Sequence, residues 1–302
     1  MTRPSLARYL DPEVLQQVAA RPLEPKELVL GHLAGLHRSP LAGFAVEFAG
    51  HREYVPGDDV RHLDWKVYYK RFRYFIKQYE METNYICHLF IDVSGSMHYG
   101  DGSQQKLCYA ASLAMCLAYC VVRQHDQVSL GLFDQRLRSW VPPGGSLVQL
   151  IKFADQLDQL TPSAGTALTS CLLELLGRTG RRELVIILSD FLTDLTALED
   201  VLQRMRYAHH DVAILQVLHR DEATFPFHGT LRCRGLESEP LLDVSADDIR
   251  QEYLELVHRH QQQLQILCER HGIDFLSTLT DHPPAKVLWQ HLDQREQRQR
   301  TI

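Results

Sequence analysis

The sequence predicts an α/β fold: a central, mostly parallel sheet covered by helices on both faces. Two observations lead there. From residue 85 onward, strand-like and helix-like segments alternate, the pattern of βα units feeding a parallel sheet. Within that alternation Glu183–Asp190, ELVIILSD, is a continuous apolar run of the kind a strand shows when both of its faces are buried.

The elements follow in order. The β-rich run YICHLFIDVS, Tyr85–Ser94, opens the alternation. A helix follows over Gln104–Arg123. Its core, LCYAASLAMCLAYCVV, is apolar on every side, which predicts a buried central helix. It is also shorter than the ~20 residues that cross a bilayer. Gln127–Asp134 and Leu137–Val141 read as two short strands of a hairpin, stopped by Pro142-Pro143-Gly144-Gly145. Helices over Leu147–Leu160 and Ala167–Arg178 lead to the buried strand Glu183–Asp190, and helix Ala197–His209 leads to strand Asp211–His219. An insert with Phe225, Pro226, Gly229 and Pro240 precedes helix Ile249–His271. That helix carries Ile249, Tyr253, Leu256, Val257, Leu264 and Leu267 at helical spacing, with His260 on the same stripe and Gly272 as its stop. Strand Ile273–Leu279 and a helix from Ala285 finish the domain, and the final QREQRQRTI reads as a solvated end. Before residues 82–84 the sequence is irregular and rich in Gly, Pro, Arg and aromatics. The division expected is an irregular, partly β N-terminal arm over residues 1–84 and the sheet domain over 85–302.

Composition narrows the function. The 302 residues are 45% hydrophobic and 23% charged, which excludes bulk disorder and allows a core without disulfide or metal staples. A net charge of -6 argues against a general polyanion binder. The 7 cysteines are odd in number, form no C-x-x-C and lie mostly in apolar runs, as reduced core residues of a cytosolic chain do. The first residues hold no apolar stretch of signal-peptide type. The expectation is a soluble, cytoplasmic protein without membrane insertion.

In doubly wound sheets, ligands bind outside the carboxyl ends of the strands, at the switch point. After the first strand stands Asp92-Val93-Ser94-Gly95-Ser96-Met97, and after ELVIILS stands Asp190-Phe191. Between them, at a loop-to-helix junction, lies Pro162-Ser163-Ala164-Gly165-Thr166. These pieces supply two carboxylates and three hydroxyls. A small hard cation such as Mg²⁺ wants such oxygens, octahedrally at ~2.0–2.1 Å. Ser94 and Ser96 are two apart on a turning loop and face one point, with Gly95 easing the turn. Asp92 and Asp190 anchor charge, and Thr166 adds the third hydroxyl. Each piece alone has a plainer reading as a turn or a helix cap. Their order on a βα alternation is what points to a metal.

Residues 85–280 resemble a von Willebrand factor A domain, and Asp92, Ser94, Ser96, Thr166 and Asp190 match its metal-ion-dependent adhesion site position by position. The resemblance implies a Rossmann-like fold whose Mg²⁺ or Mn²⁺ binds a partner's carboxylate at an open coordination position. Upstream, the run from Gly50 to Trp65 reads G-x-R-E-Y-x-x-G-D-D-x-R-x-x-D-W. It resembles the signature of the domain-of-unknown-function family fifty-eight, which places it directly before a von Willebrand A-type domain. That resemblance implies a link with MoxR-type AAA+ ATPases. Within the signature, Arg52, Glu53, Asp58, Asp59, Arg61 and Asp64 suit an ion network with Arg forks on carboxylates, serving either as a structural clamp or as a partner surface.

Two other features receive the plainer reading. Lys66–Lys77, KVYYKRFRYFIK, interleaves basic and aromatic residues as single-strand nucleic-acid grooves do. The acidic total charge and the lack of an RNA-binding signature favour instead a β-strand at a domain seam, and no nucleic-acid partner. The 16 histidines show no H-E-x-x-H and no zinc spacing, so they read as surface or capping residues, His209-His210 among them. His258 and His260 point to different helix faces.

There is no G-x-S-x-G, no P-loop and no G-x-G-x-x-G. Hydroxyl-rich ligation with few carboxylates leaves a metal electrophilic and open to an outside carboxylate. The reading is a non-enzymatic, metal-dependent protein–protein interaction module. Its Mg²⁺ or Mn²⁺ sits on the five residues, and its partner supplies an Asp or Glu. By resemblance that partner is a MoxR-type AAA+ ATPase or its client, met in complex assembly or maturation. The alternatives are a Mg/Mn-dependent hydrolase activating water at the same site, or a scaffold with a vestigial one.

Overall fold

Two units make up the chain, Glu27–Tyr85 and Met1–Lys26 with Ile86–Ile302, seen here in a computed structural model. It describes residues 6–10, 14, 23, 34–39, 47–55, 60, 63–83, 85–160, 165–236 and 241–299. The chain starts with the short helix α1 (Leu6–Tyr9). The smaller unit then contains β1 (Ala34–Ser39), β2 (Glu47–Glu53), α2 (Trp65–Arg71) and β3 (Phe75–Thr83), with the strands in an antiparallel sheet ordered β1-β3-β2. The basic and aromatic run expected to be one strand is therefore a helix and then a strand. Asp64 decides this: its Oδ1 accepts Lys66 N at 2.9 Å and Val67 N at 3.3 Å, an N-cap that starts a helix where a strand pattern would otherwise run on.

The larger unit continues through β4 (Ile86–Asp92), α3 (Lys106–Arg123), β5 (Gln127–Phe133), β6 (Leu137–Gly144), α4 (Leu147–Asp158), α5 (Leu168–Leu176) and β7 (Leu184–Ser189). Then come α6 (Leu195–Tyr207), β8 (Asp211–Leu218), α7 (Arg220–Thr224), β9 (Thr230–Cys233), β10 (Leu242–Ser245), α8 (Ala246–Arg270), β11 (Asp274–Leu279) and α9 (Pro284–Gln299). The main sheet runs β11-β8-β7-β4-β5-β6, parallel throughout except for the β5–β6 hairpin. The chain leaves β4 in one direction and returns past it to β7, so the order reverses between β4 and β7. This is the Rossmann-like α/β architecture expected. The β9–β10 hairpin and α7 structure the insert, which sequence alone left without elements.

Helix α3 lies against one face of the sheet, with α1, α4 and α9 packed on it. On the other face α5, α6 and α8 share one core with the sheet through Leu172, Leu175, Val201, Met205 and Leu264. By length and composition α3 passes as a membrane span, yet 78% of it is buried inside the unit, as its all-round apolar character leads one to expect. Gly131 on β5 lets α5 approach: a Cβ there would stand 2.6 Å from Leu175 Cδ2 and 3.2 Å from Phe90 Cδ1, both in the packed core. Gly131→Ala is expected to cost about 1–3 kcal/mol through overpacking, read by urea denaturation.

Three expectations need correction. The described residues among the first 26, residues 6–10, Val14 and Leu23, group with the sheet unit rather than the arm: Ser112 Oγ donates to Tyr9 O at 3.0 Å, and Leu23 N to Gln124 Oε1 at 3.1 Å. The solvated end is helical to Gln299, and within it Arg295 is buried, with forked bonds to Asp211 and, at 2.9 Å, to Asp274. And His88 and His210 are core residues, not surface ones. His88 bonds Ser129 Oγ and, at 2.8 Å, Glu183 Oε2, while His210 Nδ1 accepts Glu183 N at 3.2 Å. Burial alone would raise Glu183, but the His88 hydrogen bond and charge more than offset it and hold the carboxyl below its ordinary range. All seven cysteines are free; Cys233 alone is exposed, on the β9–β10 hairpin.

Candidate metal centre at the strand ends

Asp92 is the last residue of β4, and Asp190 follows directly on β7, the next strand across the switch point. The two turns are stitched together. Asp92 Oδ1 accepts Ser94 N at 2.9 Å, the self-bond by which an Asp turns its own chain. Asp92 Oδ2 accepts Ser189 Oγ at 2.7 Å, and Ser189 Oγ in turn accepts Phe191 N at 3.0 Å. Gln216, buried in β8, donates to Asp190 O at 3.0 Å. Phe191 takes the left-handed conformation at φ 55 with its ring in the core, so the Asp190 loop turns sharply. His260 Nε2 donates to Phe191 O at 2.8 Å from α8.

The cap readings do not hold. Ser94 occupies the N-cap of a 3₁₀ turn, Gly95–His98, but its side chain makes no cap bond; its Oγ lies 3.1 Å from Ser96 Oγ instead. Gly95 keeps a negative φ, so the turn there does not depend on glycine. Ala167 occupies the N-cap position of α5 without a side-chain cap bond, and Thr166 Oγ1 is a buried hydroxyl oxygen without a hydrogen-bond partner. Helix α6 is capped by Asp194, leaving Asp190 to other work. Thr166 reaches this rim because Ala167 N donates to Asp134 O at 2.9 Å, at the end of β5 beside β4. Gly165 before it is held at φ 87, in the left-handed region that favours glycine. Residues 162–164 of that junction lie outside the described residues.

Asp92, Ser94 and Asp190 are buried, whereas Ser96 and Thr166 are half-buried as residues. Burial, and then the charge of Asp190, push the Asp92 carboxyl up to about 7, against the bonds from Ser189 and Ser94 that pull it down. Two close carboxylates in low dielectric, with an unpartnered hydroxyl oxygen on the same rim, fit the needs of a hard divalent cation. Among the described residues no three His, Cys, Asp or Glu side chains gather as a metal-binding group, because three of the five donors here are hydroxyls. Nearby Asp134 is spoken for by Arg138 and Arg136 N.

A pH dependence follows. Unfolded, Asp92 titrates at about 3.9; folded, at about 7. Between those values the folded protein binds more protons, so its stability falls as pH rises through the window. Cation-free protein is expected to be about 2 kcal/mol less stable to urea at pH 8 than at pH 5.5 from this group. Asp92→Asn should flatten that profile.

Sequence reasoning missed Lys106, Ser189, Gln216 and Glu222. Lys106 Nζ, fully buried at the head of α3, donates to Asp190 Oδ2 at 2.9 Å and Glu222 Oε1 at 2.6 Å. Only Ser189, next to Asp190 at a strand end, carried a local signal. The buried Ser129, His88 and Glu183 have the residue types of a hydrolytic triad, but all are within 5% of full burial and no substrate reaches them. In the arm, Asp64 Oδ2 bonds His51 Nε2 at 2.8 Å and Glu53 pairs with Arg73 at 3.1 Å. Asp58, Asp59 and Arg61 lie outside the described residues.

The family described as "Protein of unknown function DUF58" matches residues 50–263. An uncharacterized protein of Mycobacterium tuberculosis, Rv1480, and one of Mycobacterium bovis, Mb1516, are each 24% identical over 275 residues, covering 90% of this chain and 86% of theirs. Among solved structures, the conserved hypothetical protein BatB of Bacteroides thetaiotaomicron is similar over 71% of this chain and 100% of its own, at 14% identity and TM-score 0.47. Manganese-loaded TRAP protein of Plasmodium vivax is similar over 44% of this chain and 57% of its own, at 15% identity and TM-score 0.35.

Proposed function

We propose, from the premise that this chain belongs to the DUF58 family, that its sheet unit is a non-enzymatic, metal-dependent module for binding another protein in the cytoplasm. Asp92, Ser94, Ser96, Thr166 and Asp190 would hold a Mg²⁺ or Mn²⁺ ion. When bound, such an ion supplies an electrophilic position that a partner's Asp or Glu can fill. The observation that carries this reading is the unpartnered, buried Thr166 Oγ1 on the rim where burial and Asp190 together lift Asp92. Each feature is costly in an empty protein, and a cation relieves both.

The chain's own residues do the rest. Ser189 and Gln216 fix the two turns, and Ser96 and Thr166 are the least buried of the five donors. Leu192, 52% exposed two residues after Asp190, offers apolar contact to an arriving surface. The partner we propose is a MoxR-type AAA+ ATPase or a client it remodels, engaged in complex assembly or maturation.

A pull-down of such an ATPase with the full chain tests this. Retention in Mg²⁺, loss in EDTA and return on adding Mg²⁺ back is the expected result; retention indifferent to chelator contradicts it.

A further inference from the structure

Lys106 has no exposed surface, and a charge so placed persists only where it is paired. Its two partners, Asp190 and Glu222, follow neighbouring strands, one directly after β7 and one on α7 after β8. Glu222 is itself held: its Oε2 accepts His219 N at 2.8 Å, one half of a capping box at the head of α7. Both of its bonds run from Nζ to carboxylate oxygens, the pairing that a buried ammonium needs. Asp190 and Glu222 share this one ammonium, and Asp92 brings a further carboxylate to the same strand ends, so carboxylates outnumber the resident cation there.

We infer that Lys106 is a resident countercharge that sets how strongly the rim attracts a divalent cation, with Glu222 holding it in place; this rests on the reading of the rim as a cation site. With no ion bound, the ammonium pairs with the Asp190 carboxylate and keeps it aimed. With an ion bound, the same ammonium repels it and limits affinity. Lys106 acts through Asp190 and is a positioning residue. Removing the positive charge should therefore tighten cation binding, and removing the Glu222 charge should weaken it. One elementary charge at such short range in a partly buried site is worth about tenfold or more in affinity.

The test is a titration of the chelator-stripped full chain with MnCl₂, read as the Mn²⁺ concentration at the midpoint of its thermal shift. Lys106→Met is expected to lower the melting temperature without Mn²⁺, regain it on addition, and move the midpoint about tenfold down. Glu222→Gln should move the midpoint about tenfold up. A purely structural ion pair lowers melting temperature in both variants and leaves both midpoints at the wild-type value, which would overturn the inference while the cation site stands. If Lys106→Met does not fold, the direction of the Glu222→Gln shift decides. A wild type that ignores Mn²⁺ beside a Lys106→Met protein that responds supports the countercharge and overturns the metal-loaded reading of the natural protein. No response in any form overturns both.

Discussion

Asp92→Ala is expected to abolish divalent-cation-dependent partner binding and to leave the sheet folded. Asp92 is the carboxylate most exposed to the cost of an empty site, since burial and Asp190 oppose its ionisation. Its removal takes away one of two anionic ligands, enough to lower cation affinity by about a hundredfold or more on Coulomb grounds. The structural price is smaller. Ser94 N and Ser189 Oγ lose their acceptor, at about 1–3 kcal/mol, while the repulsion from Asp190 disappears. Asp92→Asn keeps an acceptor in place and separates the two effects. Binding in Mg²⁺ and EDTA, beside urea melts of both variants, measures this; unchanged Mg²⁺-dependent binding by Asp92→Ala would refute the ligand set.

Arg295→Met is expected to show the opposite profile: a loss of about 3–5 kcal/mol in stability, with the cation response intact. Arg295 binds the first residues of β8 and β11, Asp211 and Asp274, at the amino ends of the strands and so across the sheet from the rim. Methionine fills the space but leaves two buried carboxylates without their shared guanidinium. Denaturation by urea with and without Mn²⁺ reads both quantities. If Arg295→Met changes the Mn²⁺ midpoint, the two ends of the sheet are coupled in a way the contacts do not account for.

These two residues also mark what was legible in the sequence. The strand–helix alternation carried the fold because buried strands and amphipathic helices have different periods, and the Asp92–Ser96 turn was legible because its donors are adjacent at a strand end. Lys106 was not legible. A lysine at the head of an apolar helix reads as a solvated first turn, and its partners lie 84 and 116 residues away. Arg295 was hidden in the same way, inside a polar run that reads as solvated, with Asp274 and Asp211 at separations of 21 and 84. Local pattern reports which face an element buries. It does not report which buried charges meet, because that depends on strand order. The α2 helix shows the converse: one side chain, Asp64, overrode a strand-like pattern through its cap bonds.

Isothermal titration of Mn²⁺ into the chelator-stripped wild-type chain at pH 8 addresses the cation directly. One site per chain is expected, absent in Asp92→Ala and weakening as pH falls below about 7 while Asp92 takes up its proton. Heat equal to buffer dilution in both proteins would contradict the account.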